Sequence, residues 1–124
     1  MNPLKLVKSL FVPAPRFAAK DCFARVRSGT ALLIDVREPH EWAAGVAEGA
    51  VLLSLRDLSG GRKKWSSFLA ANGDRELLLY CGAGVRSAMA ARVLAREGFR
   101  AANAGSLAEW SAAGWPIVAP RPQR

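Results

Sequence analysis

The residues best equipped for chemistry lie in the segment Leu77-Leu-Leu-Tyr-Cys-Gly-Ala-Gly-Val-Arg-Ser87. An apolar run delivers Cys81 into a turn bearing Gly82 and Gly84, and a helix-forming stretch rich in Ala and Leu follows from Ser87. A cysteine at the start of a helix meets free backbone N–H groups and the positive end of the helix dipole, which favour thiolate over thiol. Gly82 and Gly84 permit backbone angles and close approaches that a side chain hinders. The N–H groups of the turn Gly82, Ala83, Gly84, Val85 can then converge on one centre and cradle an anion. Arg86 adds a permanently charged fork able to hold an anionic sulfur or oxygen group at two points. Ser87 offers a helix cap or a hydroxyl donor to the substrate. The competing reading is a buried core cysteine whose glycines only make a turn, and the nearby arginine weighs against it.

Positioning this loop requires strands and helices in alternation. Cys22, Phe23 and Val26 fall at helical spacing over Ala18 to Arg27, and Ser28-Gly29 stops that helix. Ala31 to Val36 reads as a strand covered on both faces, ending in Asp35, Arg37 and Glu38. Pro39 opens a short helix to Ala44, and Ala50 to Leu53 is a second apolar run. Gly60-Gly61 breaks the chain before a helix over Trp65 to Ala71, ended by Asn72-Gly73. Glu76 to Tyr80 is the next strand, followed by a helix over Ser87 to Glu97, a strand candidate at Arg100 to Asn103 and a helix over Ser106 to Ala113. Pro116 and Pro120 keep the tail extended. This order predicts an α/β fold with a mostly parallel sheet, whose ligands sit beyond the carboxyl ends of the strands, where Asp35 and Cys81 both lie.

A chain of 124 residues, 51% hydrophobic and 23% charged, suits one compact domain. Two prolines in Val12 to Pro15 mark its start, which predicts a basic, flexible arm over residues 1–15, a domain over 16–120 and a tail over 121–124. The net charge of +8 attracts anions. The arginines are spread along the chain and the only tight basic run is Arg62-Lys63-Lys64, so small anions are expected rather than nucleic acid, with an acidic protein partner left open. Two cysteines fit a reducing compartment, hence a cytoplasmic expectation, and Cys22, Cys81 and the single His40 lack the spacing of a metal site. Apolar runs are too short for a transmembrane helix, and Leu10 to Val12 is too short for the core of a signal peptide.

The loop residues Cys81, Gly84 and Arg86 make this chain resemble the rhodanese family, whose active-site loop often reads Cys-x-x-Gly-x-Arg. The resemblance extends to Leu33-Ile-Asp-Val-Arg-Glu-Pro-His-Glu-Trp42 and to Ala104-Gly-Ser-Leu-Ala-Glu-Trp-Ser-Ala-Ala-Gly-Trp-Pro-Ile117, covering nearly all of residues 18–118. It implies a five-stranded, mostly parallel sheet flanked by helices on both faces. It also implies a sulfurtransferase in which Cys81 carries sulfur as a persulfide, from thiosulfate or a similar anionic donor to a thiol or cyanide, with no cofactor. Asp35 and Arg37 are implied as loop supports, Glu41 and Trp42 as anchors of that edge, and Trp110 and Trp115 as core or rim residues. Cys22 is expected in the core, with resolution of the persulfide as the alternative, and His40 is expected exposed. Val46 and Glu48 replace a familiar His and Pro, Gly82 stands where relatives place larger residues, and Ala104-Gly-Ser106 replaces a Leu-Glu-Gly-Gly-like turn.

Loop length separates the alternatives. Related phosphatases and arsenate reductases use Cys-x5-Arg, whereas four residues separate Cys81 from Arg86. The smaller ring suits a terminal sulfur about 2 Å from the cysteine sulfur, a disulfide-like bond length. Tyr80, where a histidine often precedes the cysteine, also disfavours phosphatase chemistry. A non-catalytic binding or regulatory module of the same fold is the remaining alternative.

Overall fold

The computed structural model describes residues 13–121. Most of the arm expected over residues 1–15, and residues 122–124 of the tail, lie outside them.

Two apolar strands form the middle of the molecule. β1 (Ala31–Asp35) and β4 (Glu76–Cys81) pair in parallel from Ala31 opposite Glu76 to Asp35 opposite Tyr80, so both end at one edge. β3 (Val51–Leu52) pairs with the other side of β1 and β5 (Ala101–Ser106) with the other side of β4, giving an all-parallel sheet in the order β3-β1-β4-β5.

Side chains alternate across the sheet, as the two-residue strand period requires. Leu77, Leu79 and Cys81 enter one core, with Leu58, Trp65 and Leu94 from the helices α3 (Leu55–Ser59), α4 (Lys63–Asn72) and α5 (Val85–Arg96). Leu78 and Tyr80 enter the other, with Cys22 from α1 (Ala19–Ser28) and Trp110 from α6 (Leu107–Ala112). Each of the fully buried Leu77, Leu78 and Leu79 removes apolar surface from water worth roughly 1.5–3 kcal/mol. That burial clamps the strand whose last residue is Cys81.

Among the described residues the sheet has four strands where the resemblance implied five. The fifth chain segment is reduced to a parallel bridge between Arg16 and Asn103, fastened by Phe17 N–H to Asn103 O (2.9 Å) and Asn103 N–H to Pro15 O (2.8 Å). Pro13 and Pro15 have no N–H to give, so a longer ladder cannot form there.

Two further elements depart from the sequence expectations. α3 is capped by Ser54, whose Oγ accepts from Asp57 N–H at 3.1 Å. The tail, expected merely extended, pairs β6 (Ile117–Val118) antiparallel to β2 (Val46–Ala47).

The basic run Arg62-Lys63-Lys64 opens α4. Asp57 accepts the N–H groups of Lys63, Lys64 and Trp65 at 2.9–3.0 Å, and Arg62 forms a two-point pair with Glu97 at 2.7 and 2.8 Å. Between Trp42 and Val46 the chain turns from α2 (Pro39–Trp42) into β2. Among the described residues, no helix is long and apolar enough to cross a membrane.

Candidate active site

β4 ends at Cys81 and α5 begins at Val85, two residues earlier than the sequence suggested, so the turn between them is only Gly82-Ala83-Gly84. Gly84 has φ +86°, a left-handed conformation costly for any residue with a Cβ, and this reversal folds the first turn of α5 back over the cysteine. Cys81 Sγ then accepts Gly84 N–H at 3.0 Å and Ser87 N–H at 3.4 Å, and lies 3.3 Å from Ser87 Oγ. Burial pushes the thiol pKa up, but hydrogen bonds from the Ser87 side chain and from the N–H groups of Ser87, Ala83 and Gly84 outweigh it, leaving Cys81 below its ordinary value. Cys81 is only 1% exposed, whereas Gly82, Ala83 and Val85 form the outer surface of the loop.

Arg86 does not stand as a free anion fork. Its Nη1 and Nη2 donate to Glu41 Oε1 and Oε2 at 2.5 and 2.9 Å, and Glu41 Oε1 also accepts Glu38 N–H at 3.1 Å as part of a capping box on α2. The Arg86 contact lowers the Glu41 carboxyl to about 2 and raises the guanidinium above its already high value. A Cβ at position 82 would stand 3.1 Å from Arg86 Nη2 and 3.7 Å from Glu41 Oε2, so Gly82 leaves room for this pair. Glu41 was read from the sequence only as an edge anchor. Its ion pair with a residue 45 positions away leaves no local signal.

Asp35 and Arg37 are buried and bound to each other: Arg37 Nε reaches both Asp35 oxygens at 3.1 Å and Nη2 reaches Oδ2 at 2.9 Å. Tyr80 Oη donates to Asp35 Oδ2 at 2.6 Å and accepts Ala47 N–H at 2.9 Å; burial and the facing carboxylate raise the phenol pKa. Arg37 also donates to Gly45 O (2.7 Å) and Glu41 O (3.4 Å). The β1 terminus thus holds the α2 backbone whose Glu41 side chain meets Arg86.

A polar residue that the sequence reading passed over closes the other side. β5 carries a bulge, because Leu79 pairs with Asn103 while Cys81 pairs with Ser106. Asn103, 6% exposed, accepts Gly105 N–H at 3.0 Å and the Ser87 hydroxyl at 2.7 Å on Oδ1, and donates through Nδ2 to Gly84 O at 3.2 Å. A lone Asn between Ala102 and Ala104 in a strand otherwise built of small residues was the only available hint.

The remaining candidates lie elsewhere. Cys22 packs on the opposite face of the sheet, where burial pushes its thiol pKa up, so it is a core residue with no path to resolve a persulfide at Cys81. Trp110 Nε1 donates to Ala104 O and Trp115 Nε1 to Glu48 O, both rings being buried. Val46 is buried in β2 and His40 is exposed. A surface depression of about 490 Å³ lined by residues 46–52, 118, 119 and 121 contains no nucleophile and is remote in composition from the loop.

The family model of the rhodanese-like domain matches residues 18–113. This chain belongs to that family. A curated relative named a sulfurtransferase, from Allochromatium vinosum, is 33% identical to this rhodanese-like chain over 91 residues, 72% of this chain and 79% of that one. A crystal structure of a rhodanese-related protein from Thermoplasma volcanium aligns with a TM-score of 0.71 at 25% identity, covering 86% of this chain and 99% of the other. A human single-domain sulfurtransferase aligns at 0.64 and 28% identity, covering 80% and 96%. Together these likenesses support a sulfurtransferase-type role for the rhodanese-like domain.

Proposed function

We propose that this rhodanese-like domain is an enzyme that moves sulfane sulfur through a persulfide on Cys81. The observation that carries the reading is the convergence of the Gly84 and Ser87 N–H groups on Sγ, at 3.0 and 3.4 Å. Dipoles fixed in that way favour negatively charged sulfur without reorganising during reaction. The Cys81 thiolate attacks the outer sulfur of thiosulfate; the S–S bond to the sulfonate sulfur breaks and sulfite leaves with its electron pair. Cyanide or a thiolate then attacks the outer sulfur of Cys81–S–S⁻ and regenerates the Cys81 thiolate, in two-step covalent catalysis. Arg86, held by Glu41, and Asp35 with Arg37 support the loop in this scheme, and the organic chemistry calls for no cofactor. Its setting is a reducing, cytoplasmic compartment.

Incubation with thiosulfate and cyanide should form thiocyanate, and thiosulfate alone should add the mass of one sulfur atom to Cys81. Equal thiocyanate formation by Cys81→Ser refutes the assignment. The near-complete burial of Cys81 favours one second reading, a rhodanese-like module that docks an acidic partner through its basic surface. Cys81 inert to iodoacetamide at neutral pH, together with a stoichiometric co-purifying partner, would decide for that module. Hydrolysis of an aryl phosphate without sulfur uptake would decide for a phosphatase.

A further inference from the structure

We propose that Asn103 is a positioning residue that competes with Cys81 for the single hydroxyl hydrogen of Ser87 and so restrains ionisation of the thiol. Ser87 is fully buried, and its Oγ meets Asn103 Oδ1 at 2.7 Å, Cys81 Sγ at 3.3 Å and Gly105 O at 3.4 Å. A hydroxyl has one hydrogen to give and two lone pairs to offer. With the hydrogen on the short contact to Asn103, Ser87 Oγ turns a lone pair toward Cys81 and accepts the S–H of the resting thiol.

When Cys81 ionises, its proton leaves to solvent base, and the thiolate now needs a donor. The Ser87 hydrogen stays bonded to Oγ and swings from Oδ1 to Sγ. One hydrogen bond is broken for each one formed, so Asn103 subtracts from the stabilisation that Ser87 can give the anion.

The amide orientation is fixed by its other partners. A flipped amide would set Nδ2 against the Gly105 N–H and Oδ1 against Gly84 O, which already accepts Ala88 N–H, so Oδ1 must face Ser87. Gly105 N–H also keeps Oδ1 partnered when the hydroxyl swings away, which makes the exchange affordable inside a buried site.

Other charges around the loop are Arg86 from α5, Glu41 and Glu38 at the start of α2, and the Arg16–Glu109 pair beside Gly84 and Gly105. A neutral replacement of Asn103 retains all of them.

The inference rests on Cys81 as the sulfur carrier, but its test does not require turnover. In a Cys22→Ala background, thiolate ultraviolet absorbance is titrated for the parent, Asn103→Leu, Ser87→Ala and the double variant, with folding checked by circular dichroism. Asn103→Leu should lower the Cys81 midpoint by about one pH unit, an approximately tenfold rise in thiolate below the midpoint. Ser87→Ala should raise the midpoint, and Asn103→Leu should add nothing to it. No downward shift, or an equal shift with and without Ser87, overturns the proposal, because a bulge support alone would act independently of that hydroxyl. Asn103→Ala, which empties the site rather than crowding it, carries the same expectations if the leucine variant fails to fold. The titration pattern without thiocyanate formation sinks the enzymatic function and upholds the coupling; thiocyanate formation without the pattern does the reverse.

Discussion

Replacing Glu41 by Gln removes one charge from the mouth of the loop while keeping a carbonyl oxygen that can still accept Glu38 N–H. In the folded protein the Glu41 carboxyl lies at about 2, held down chiefly by Arg86 against the cost of burial, with a lesser contribution from the Glu38 N–H. An unfolded glutamate titrates near 4.3, so the difference of about two units is worth roughly 3 kcal/mol before screening. The side chains of Glu41 and Arg86 are 25% and 35% exposed, and solvent reduces that figure to about 1 kcal/mol. Because the folded value lies below the unfolded one, this stability is fully present above about pH 4.3 and is lost as pH falls through about 2. Urea unfolding of parent and Glu41→Gln across this range should show a gap of about 1 kcal/mol near neutrality that closes on acidification. A gap independent of pH, or one that widens in acid, refutes the charge-based account. The same variant leaves Arg86 unneutralised, so iodoacetamide should alkylate Cys81 faster at a given pH below its midpoint.

Gly84→Ala should destabilise the fold by about 1–2 kcal/mol through φ +86° alone, since the nearest atom to an added Cβ is 3.9 Å away; an unchanged urea midpoint would contradict this. Tyr80→Phe leaves Asp35 one donor short and Ala47 N–H without its acceptor inside the core, which should cost about 1–3 kcal/mol in the same assay. Arg86→Ala exposes the loop to an uncompensated Glu41, so alkylation of Cys81 near neutral pH should slow, and Glu41→Gln in the same chain should restore part of the rate. A rate unaffected by Arg86→Ala would remove that ion pair from any account of the cysteine.

The elements that were legible in the sequence are those whose signal is local. Leu77 to Tyr80 is a continuous apolar run and Ala31 to Val36 one broken only by Asp35, because parallel strands bury both faces, and the turn after Cys81 could be read because Gly84 supplies a backbone angle other residues resist. β2 and β6 were not legible, since two residues have no periodicity and their pairing is decided by tertiary contact. α3 escaped for a related reason: its five residues are fixed by the Ser54 cap and by Leu58 entering the core rather than by a repeating pattern. The site shows the same division. Cys81, Gly84 and Ser87 act through neighbours in the chain, whereas Glu41 and Asn103 reach the loop from α2 and β5 and gain their meaning only when the sheet brings those segments together.

That division changes where an anion preference proposed for the site would originate. A net charge of +8 and an arginine beside the cysteine suggest long-range attraction, but Arg86 is already matched at two points by Glu41. The field at Sγ therefore comes from the Ser87 hydroxyl and the peptide N–H groups within 3.4 Å, neutral dipoles whose effect fades quickly with distance. Such dipoles stabilise an anionic sulfur already at the loop more than they draw one in from solution. They are also screened little by salt, because no mobile ion can enter between a buried sulfur and the amides that touch it. Under the proposed function, specificity for sulfur at this position follows from the tightness of a three-residue turn.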